Sequence, residues 1–497
     1  MKKILPVVLC LLFFGFASVM VSTTAYATNG MNMEGYGPIA TGMGGASMAY
    51  DKGTAAMMNN PATLGLMPEG NRLDVAVGLL APHVKATDDV SSFSTTPGAS
   101  STSSADAFYM PALGWVQKSG QMTYGIGMFS QGGMGAKYSG DSFLAYGSND
   151  EVRSELGVGR VLIPFAYEIS KDFSVGATLD FVWASLDLKM ALNGAQFADL
   201  VGPRLGQANT YGTASGSMVD TLVGAFTVPQ ALCGGVPCLS GLNWARFDFA
   251  DKSTFSGAAK GTGFAGKIGG VFKINDAFSV GATYHSKTAL GDLETNGATL
   301  SMNVVGPATL GNAVTIPVNG NIKIKEFQWP QTIGAGVAFQ VTPQLMVVLD
   351  YKWINWAAVM KSFKMTFTAD ASQADPTASA FGLGGQSMNA ELAQNWKDQN
   401  VVMIGLGYKI GTDWTIRGGI NYANNPIPDT YLNALFPAIE ETHITVGTGY
   451  MISKASTVDF SFTYAPEVKQ TSGPNAPEGA TVTHSQTNAQ LMYSMRF

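Results

Sequence analysis

The chain has 497 residues, 46% of them hydrophobic, with 59 glycines and a formal net charge of −6, yet only 13% are charged, where soluble domains carry about 25%. Beyond the first two dozen positions no run of about 18 apolar residues occurs, which excludes a multi-span helical membrane protein. The 27 Phe, 17 Tyr and 8 Trp exclude a disordered chain, and the negative balance excludes a nucleic-acid binder.

In chain order, Lys2 and Lys3 precede an apolar run from Ile4 to Val21, and Ala25-Tyr26-Ala27 is a small-x-small cleavage site. Residues 1–27 therefore read as a signal peptide, and the mature chain starts at Thr28. Residues 28–70 do not alternate. They are rich in Gly and Met, and a short apolar segment of this kind buries itself only inside the structure it precedes, so it reads as an N-terminal plug.

From 71 to 497 the dominant period is two. Val458, Phe460, Phe462 and Tyr464 alternate with Asp459, Ser461 and Thr463, and Trp414, Ile416 and Tyr422 with Thr415, Arg417 and Asn421, so each strand has one greasy and one polar face. About 14 such strands are expected, with long connections such as 193–250 alternating with tight turns such as Ser119-Gly120 and Lys454-Ala455. The fold class is all-β: a transmembrane antiparallel β-barrel with a plug in its lumen. Its last strand places Ala489, Leu491, Tyr493, Met495 and Phe497 on one face, which resembles the C-terminal signal by which outer-membrane barrels are recognised for assembly.

The third strand holds Gly125, Gly127, Gly132 and Gly133. These mark a bend or fit a crowded wall. On the lumen phase lie Arg160, Lys352 and Arg417, with Lys189 near the outer end of the fifth strand; each could hold a ligand carboxylate or pair with an inward acid such as Asp180, Asp350 or Glu168. The long loop 193–250 supplies Phe197, Leu200 and Leu205, either a recognition surface or the core of a small helical cap. Cys233 and Cys238 could close a loop disulfide in an oxidising compartment, and without a nearby histidine they do not complete a metal site. Gly261 to Lys267 imitates a phosphate loop, but Ile268 stands where Ser or Thr would hold magnesium and no helix follows. His285 and Ser286 are adjacent in a strand and point to opposite faces, so they form no catalytic dyad. No catalytic residue, metal or cofactor is expected.

Gly42-Met43-Gly44-Gly45-Ala46 followed by Asn60-Pro61-Ala62 resembles the hatch of the FadL-type long-chain fatty acid transporters, whose relatives include uptake proteins for aromatic hydrocarbons. The resemblance covers essentially the whole mature chain. It implies passive transport across a Gram-negative outer membrane by capture at outer loops, an internal pocket and lateral release beside a kinked third strand, with Asn60-Pro61-Ala62 close to that gap. The implied partners are a hydrophobic small molecule, outer-membrane lipid and the barrel assembly machinery, with the protein a monomer. Long-chain fatty acids stand first as substrate and aromatic or alkane hydrocarbons second, with a structural or adhesive barrel as the reading from another class. The fifth strand has Ala184-Ser185-Leu186 where the family places a ligand-contacting arginine, with Lys189 the nearest base, a departure that weighs against a carboxylate-bearing substrate.

Overall fold

The structure, a computed structural model, describes residues 29–497 apart from 90–95, 252, 254, 255, 474, 475, 477 and 478; the expected signal peptide lies outside the described residues. The alternating segments form strands, all paired antiparallel, and the pairing closes on itself. Gly70–Asp88 pairs with Phe108–Ser119, then Met122–Tyr138, Val152–Ser170 and Phe173–Asn193 follow in turn. The ring continues through Ala259–Lys273, Phe278–His285, Thr332–Gln340, Leu345–Ile354 and Gln399–Ile410. Trp414–Ala423, Thr442–Ser453, Ser456–Thr471 and Ala480–Arg496 complete it, and the last strand pairs with the first from Arg72↔Arg496 to Asp88↔Ala480. Pairing of the last strand with the first closes the ring, as backbone in hydrocarbon requires, and the stretch of Met122–Tyr138 beyond Phe129 is where two neighbouring strands part.

The two faces separate as the period-two pattern dictates. Leu179, Phe181, Phe264, Ile268, Ile404, Leu406, Leu491 and Tyr493 are exposed on the outside, whereas Asp180, Asp459, Ser461 and Asn488 are buried within. No helix among the described residues is long and apolar enough to cross a membrane. On the long-loop side, Gly241–Phe249, Leu293–Val305, Val314–Lys325, Ser362–Ala369 and Ser387–Ala393 extend the wall beyond the ring.

Residues 29–69 lie inside this ring and are almost wholly buried. Three short helical turns, Pro38–Thr41, Gly53–Met57 and Pro61–Leu66, carry the segment. Gly44 and Gly45 sit at φ 72° and 84°, the left-handed region open to glycine, and they bring the chain against Asn421, whose Nδ2 donates to the Gly44 carbonyl at 3.2 Å. Polar groups from the whole circumference satisfy its backbone: Asp74 accepts from Thr54 N at 2.8 Å, Asp350 from Met48 N at 2.9 Å, and Thr445 Oγ1 from Gly44 N at 2.9 Å. Buried backbone demands such partners.

The long loop after Phe173–Asn193 is a helical cap. Asn193 and Gln196 form a capping box at the start of Gly194–Val201, and Phe197 and Leu200 are buried in a cluster that the loop shares with wall residues such as Leu186 and Leu300. Cys233 and Cys238 are bonded, with Cα atoms 5.3 Å apart.

Candidate functional site

The wall has an opening beside its third strand, Met122–Tyr138. The Phe108–Ser119 strand pairs with it only from Ser119↔Met122 to Ala112↔Phe129. Beyond Phe129 the third strand keeps its ladder to Val152–Ser170, but the register shifts between Ser130 and Gly132, leaving Gln131 as an inserted residue. Its other flank is taken up from inside: Asn32 bridges to Gly132, and Gly133 N donates to the Met31 carbonyl at 3.1 Å. At the far end the wall is closed again, where Ser104 N donates to the Lys137 carbonyl at 2.8 Å.

Gln131 is held on both sides. Tyr36 Oη donates to its carbonyl at 2.7 Å, and Arg160 Nε donates to its side-chain Oε1. The bend therefore belongs to Gly132 and Gly133. A Cβ on Gly132 would strike the Met31 carbonyl and one on Gly133 the Leu156 carbonyl. Gly125 and Gly127 serve close packing instead: a Cβ on Gly125 would run into Trp115 and Val116, and one on Gly127 into the Met57 sulfur.

A cavity of about 600 Å³ fills the opening, reaching from Phe108, Tyr109 and Pro111 at the wall to Met31, Glu34, Trp183 and Gln486 inside. Deeper lies a second cavity of about 30 Å³, lined by Leu186, Met190, Leu293, Ile324, Phe327, Met360, Phe363, Leu392 and Phe436 with only Gln394 and Asn433 polar. Met31, Met134 and Leu156 line both cavities and form the partition between them. Methionine suits such a partition, being unbranched with three rotatable bonds. A third cavity of about 20 Å³ is polar, lined by Arg160, Lys267, Lys352, His285, Gln131 and Tyr36 among others.

These positions revise several sequence expectations. Asn60-Pro61-Ala62 does not line the opening beside the third strand. Asn60 Nδ2 donates to the Gly270 carbonyl at 3.0 Å, and a Cβ on Gly176 would meet Pro61 and Ala62, so the motif docks against Phe173–Asn193 and Ala259–Lys273. Its contact with the opening is replaced by Met31 and Asn32, which carried no motif. Of the four basic candidates, Arg160 pairs with Asp180 at 2.7 Å, Arg417 with Asp459 at 2.9 Å and Lys189 with Glu151 at 3.1 Å, while Lys352 lines the polar cavity. None lines the apolar pocket. Glu168 pairs with Lys118 at 2.8 Å instead. Phe197, Leu200 and Leu205 line none of the three cavities, and Leu205 is exposed. His285 Nε2 faces the Asn59 carbonyl at 2.8 Å, while Ser286 Oγ accepts from Gly266 N at 3.0 Å, as their opposite orientation requires.

The outer loop between Trp414–Ala423 and Thr442–Ser453 folds inward, with Leu432, Leu435, Ile439 and Glu440 buried and Pro437 and Ala438 lining the large cavity. Burial pushes the Glu440 carboxyl up to about 9 from the usual 4.5. An acid whose folded value is raised destabilises the docked loop increasingly as pH climbs from about 4.5 towards about 9. Glu440→Gln will therefore flatten the alkaline loss of loop protection, measured as hydrogen exchange of residues 425–440 between pH 5 and 9; an unchanged pH profile refutes this.

A family model described as outer membrane protein transport protein (OMPP1/FadL/TodX) matches residues 15–496. The fold resembles the toluene transporter TodX of P. putida, at 28% identity and TM-score 0.75, covering 93% of this chain and 99% of that one. It also resembles the Ralstonia pickettii toluene transporter TbuX, at 32% identity and TM-score 0.70 with the same coverages. A long-chain fatty acid transport protein of Escherichia coli is 21% identical over 93% of this chain and 92% of its own length. Two other curated relatives, from Chlorobium limicola and Haemophilus influenzae, are matched over only 30% and 38% of their lengths. With a closed barrel, an apolar outer belt and a family model spanning nearly its entire length, the chain belongs to the OMPP1/FadL/TodX family of outer-membrane transport proteins, which are channels for hydrophobic compounds rather than enzymes.

Proposed function

We propose that this protein carries neutral hydrophobic molecules, aromatic hydrocarbons ahead of long-chain fatty acids, from the outer loops through the apolar pocket and out sideways between Phe108–Ser119 and Met122–Tyr138. The observation that carries the reading is the lining of that pocket, which contains no charged side chain. A carboxylate taken there would lose its hydration without a cation in return, a cost of several kcal/mol even after relaxation. An aromatic ring loses nothing comparable; at about 30 Å³ the pocket admits it only when the Met31, Met134 and Leu156 partition yields towards the large cavity, and the ring then gains contact with Phe327, Phe363 and Phe436. Sideways release also suits the solute, since a molecule that prefers lipid gains nothing from a watery exit. In this reading the ring of paired strands is fourteen membrane strands, and residues 28–70 are the hatch that blocks a straight channel. The toluene transporters TodX and TbuX, similar over most of this chain, support the substrate class.

The test is uptake of radiolabelled toluene and oleate by cells lacking their own outer-membrane route, with and without this protein. Toluene entry will rise and oleate entry will not. Leu186→Arg, which puts a cation in the pocket, will depress toluene entry by more than about tenfold, a barrier change of about 1.4 kcal/mol. Oleate entry equal to or above that of toluene overturns the preference.

A further inference from the structure

We infer that the polar cavity between the N-terminal segment and the wall binds one monatomic monovalent anion, chloride being the abundant example, as a structural counter-ion. Three basic side chains line this cavity, Arg160, Lys267 and Lys352, together with His285, and no carboxylate does. Asp180 stands behind two of them, accepting from Arg160 Nη1 at 2.7 Å and from Lys267 Nζ. One carboxylate thus serves two cations. Lys352 is nine-tenths buried, and its ammonium has no hydrogen-bond or ion-pair partner among the described residues. The nearby Asp350 makes no hydrogen bond to it: its Oδ2 accepts from the backbone N–H groups of Ser47 and Met48, and its Oδ1 bonds to nothing among the described residues.

Buried charge needs a partner, and removing it from water uncompensated costs several kcal/mol. Donors around the cavity suit an anion. The ammonium of Lys352 offers three N–H groups, and the side chains of Asn32 and Thr332 also reach the lining, whereas the side-chain hydrogens of Tyr36, Asn59 and Thr283 already go to backbone carbonyls. Size narrows the class further. At about 20 Å³ the space takes one water-sized particle, which rules out a fatty-acid headgroup with its chain, a phosphate or a sulfate. The residues around it come from three places: Asn32, Tyr36 and Asn59 from the segment in the lumen, Gln131 from the bulge, and Arg160, Lys267 and Lys352 from the wall. An anion there ties all three together.

The experiment uses the full mature protein in detergent. Crystals grown with sodium bromide will show one anomalous peak within hydrogen-bond distance of Lys352 Nζ. In parallel, the unfolding midpoint will rise saturably with sodium chloride or bromide, but not with sodium gluconate at equal ionic strength, because only a ligand that fits the folded cavity stabilises by mass action. Lys352→Met, similar in length and uncharged, will keep a heat-modifiable barrel and lose the halide-specific rise. A cavity without an anomalous peak, a rise shared equally by gluconate, or a Lys352→Met protein with the full halide response overturns the proposal. The toluene and oleate assay reports on the other pocket and can fail independently.

Discussion

Deleting Gln131 will reduce entry of hydrophobic solutes to the level of cells without the protein, while outer-membrane abundance and heat-modifiability stay normal. Removing the inserted residue aligns Ser130 and Gly132 as consecutive partners of Gly159 and Val158. The strand then straightens and becomes free to ladder onto Phe108–Pro111, which now border the opening. The same deletion removes the carbonyl that receives Tyr36 Oη and the amide that receives Arg160. Gln131→Met separates these effects: it keeps the insertion and the backbone acceptor, loses only the Arg160 contact, and will retain most entry. Normal toluene uptake by a well-assembled deletion variant would show that the opening is not the exit.

The barrel was legible in the sequence because lipid on one side and a polar lumen on the other impose period two on every wall strand; the Phe460/Asp459 and Leu179/Asp180 alternations fall on the faces they predict. The third-strand bend was half legible. Four glycines suggested it, but only the pairing register distinguishes Gly132 and Gly133 at the insertion from Gly125 and Gly127 in ordinary close packing. The apolar pocket was not legible. Its residues, among them Leu186, Leu293, Ile324, Met360 and Phe436, are scattered over 250 positions of chain and carry no local pattern, so only closure of the ring brings them together. Motif position misled for Asn60-Pro61-Ala62, since sequence cannot say which wall a lumenal segment faces. Met31 and Asn32, at the opening itself, carry no signal beyond methionine's adaptability.

Asn60→Leu will unseat the lumenal segment. Asn60 Nδ2 donates to the carbonyls of Met48 at 2.8 Å and Gly270 at 3.0 Å, and its Oδ1 accepts from Ala62 N at 3.1 Å, capping the turn that Pro61 opens. Leucine leaves the buried Met48 carbonyl and Ala62 N–H without these partners, each at about 1–3 kcal/mol, and its branched end has no room beside Gly269, where even a Cβ would strike Asn60. The expected result is an assembled barrel that conducts small hydrophilic ions across planar bilayers and exposes residues 29–69 to protease. Asn60→Asp retains the cap acceptor but not the two donated bonds, and will give an intermediate phenotype. A closed, protease-resistant Asn60→Leu protein would mean that the tripeptide only shapes its own turn.

The bond between Asn488 and Glu34 sets a constraint on how this molecule is made. The two residues are 454 positions apart, and Asn488 Nδ2 reaches Glu34 Oε1 at 3.2 Å across the strand that seals the cylinder. Residues 29–69 are joined to the wall only at Gly70, so this bond forms only once two separate events have both happened: Ala480–Arg496 has paired with Gly70–Asp88, and the amino-terminal segment has seated in the lumen. Contacts of such large sequence separation form late because their loop-closure entropy is repaid only at the end. Ring closure and seating of the amino-terminal segment are thereby coupled, since each brings one half of the Asn488–Glu34 bond into place.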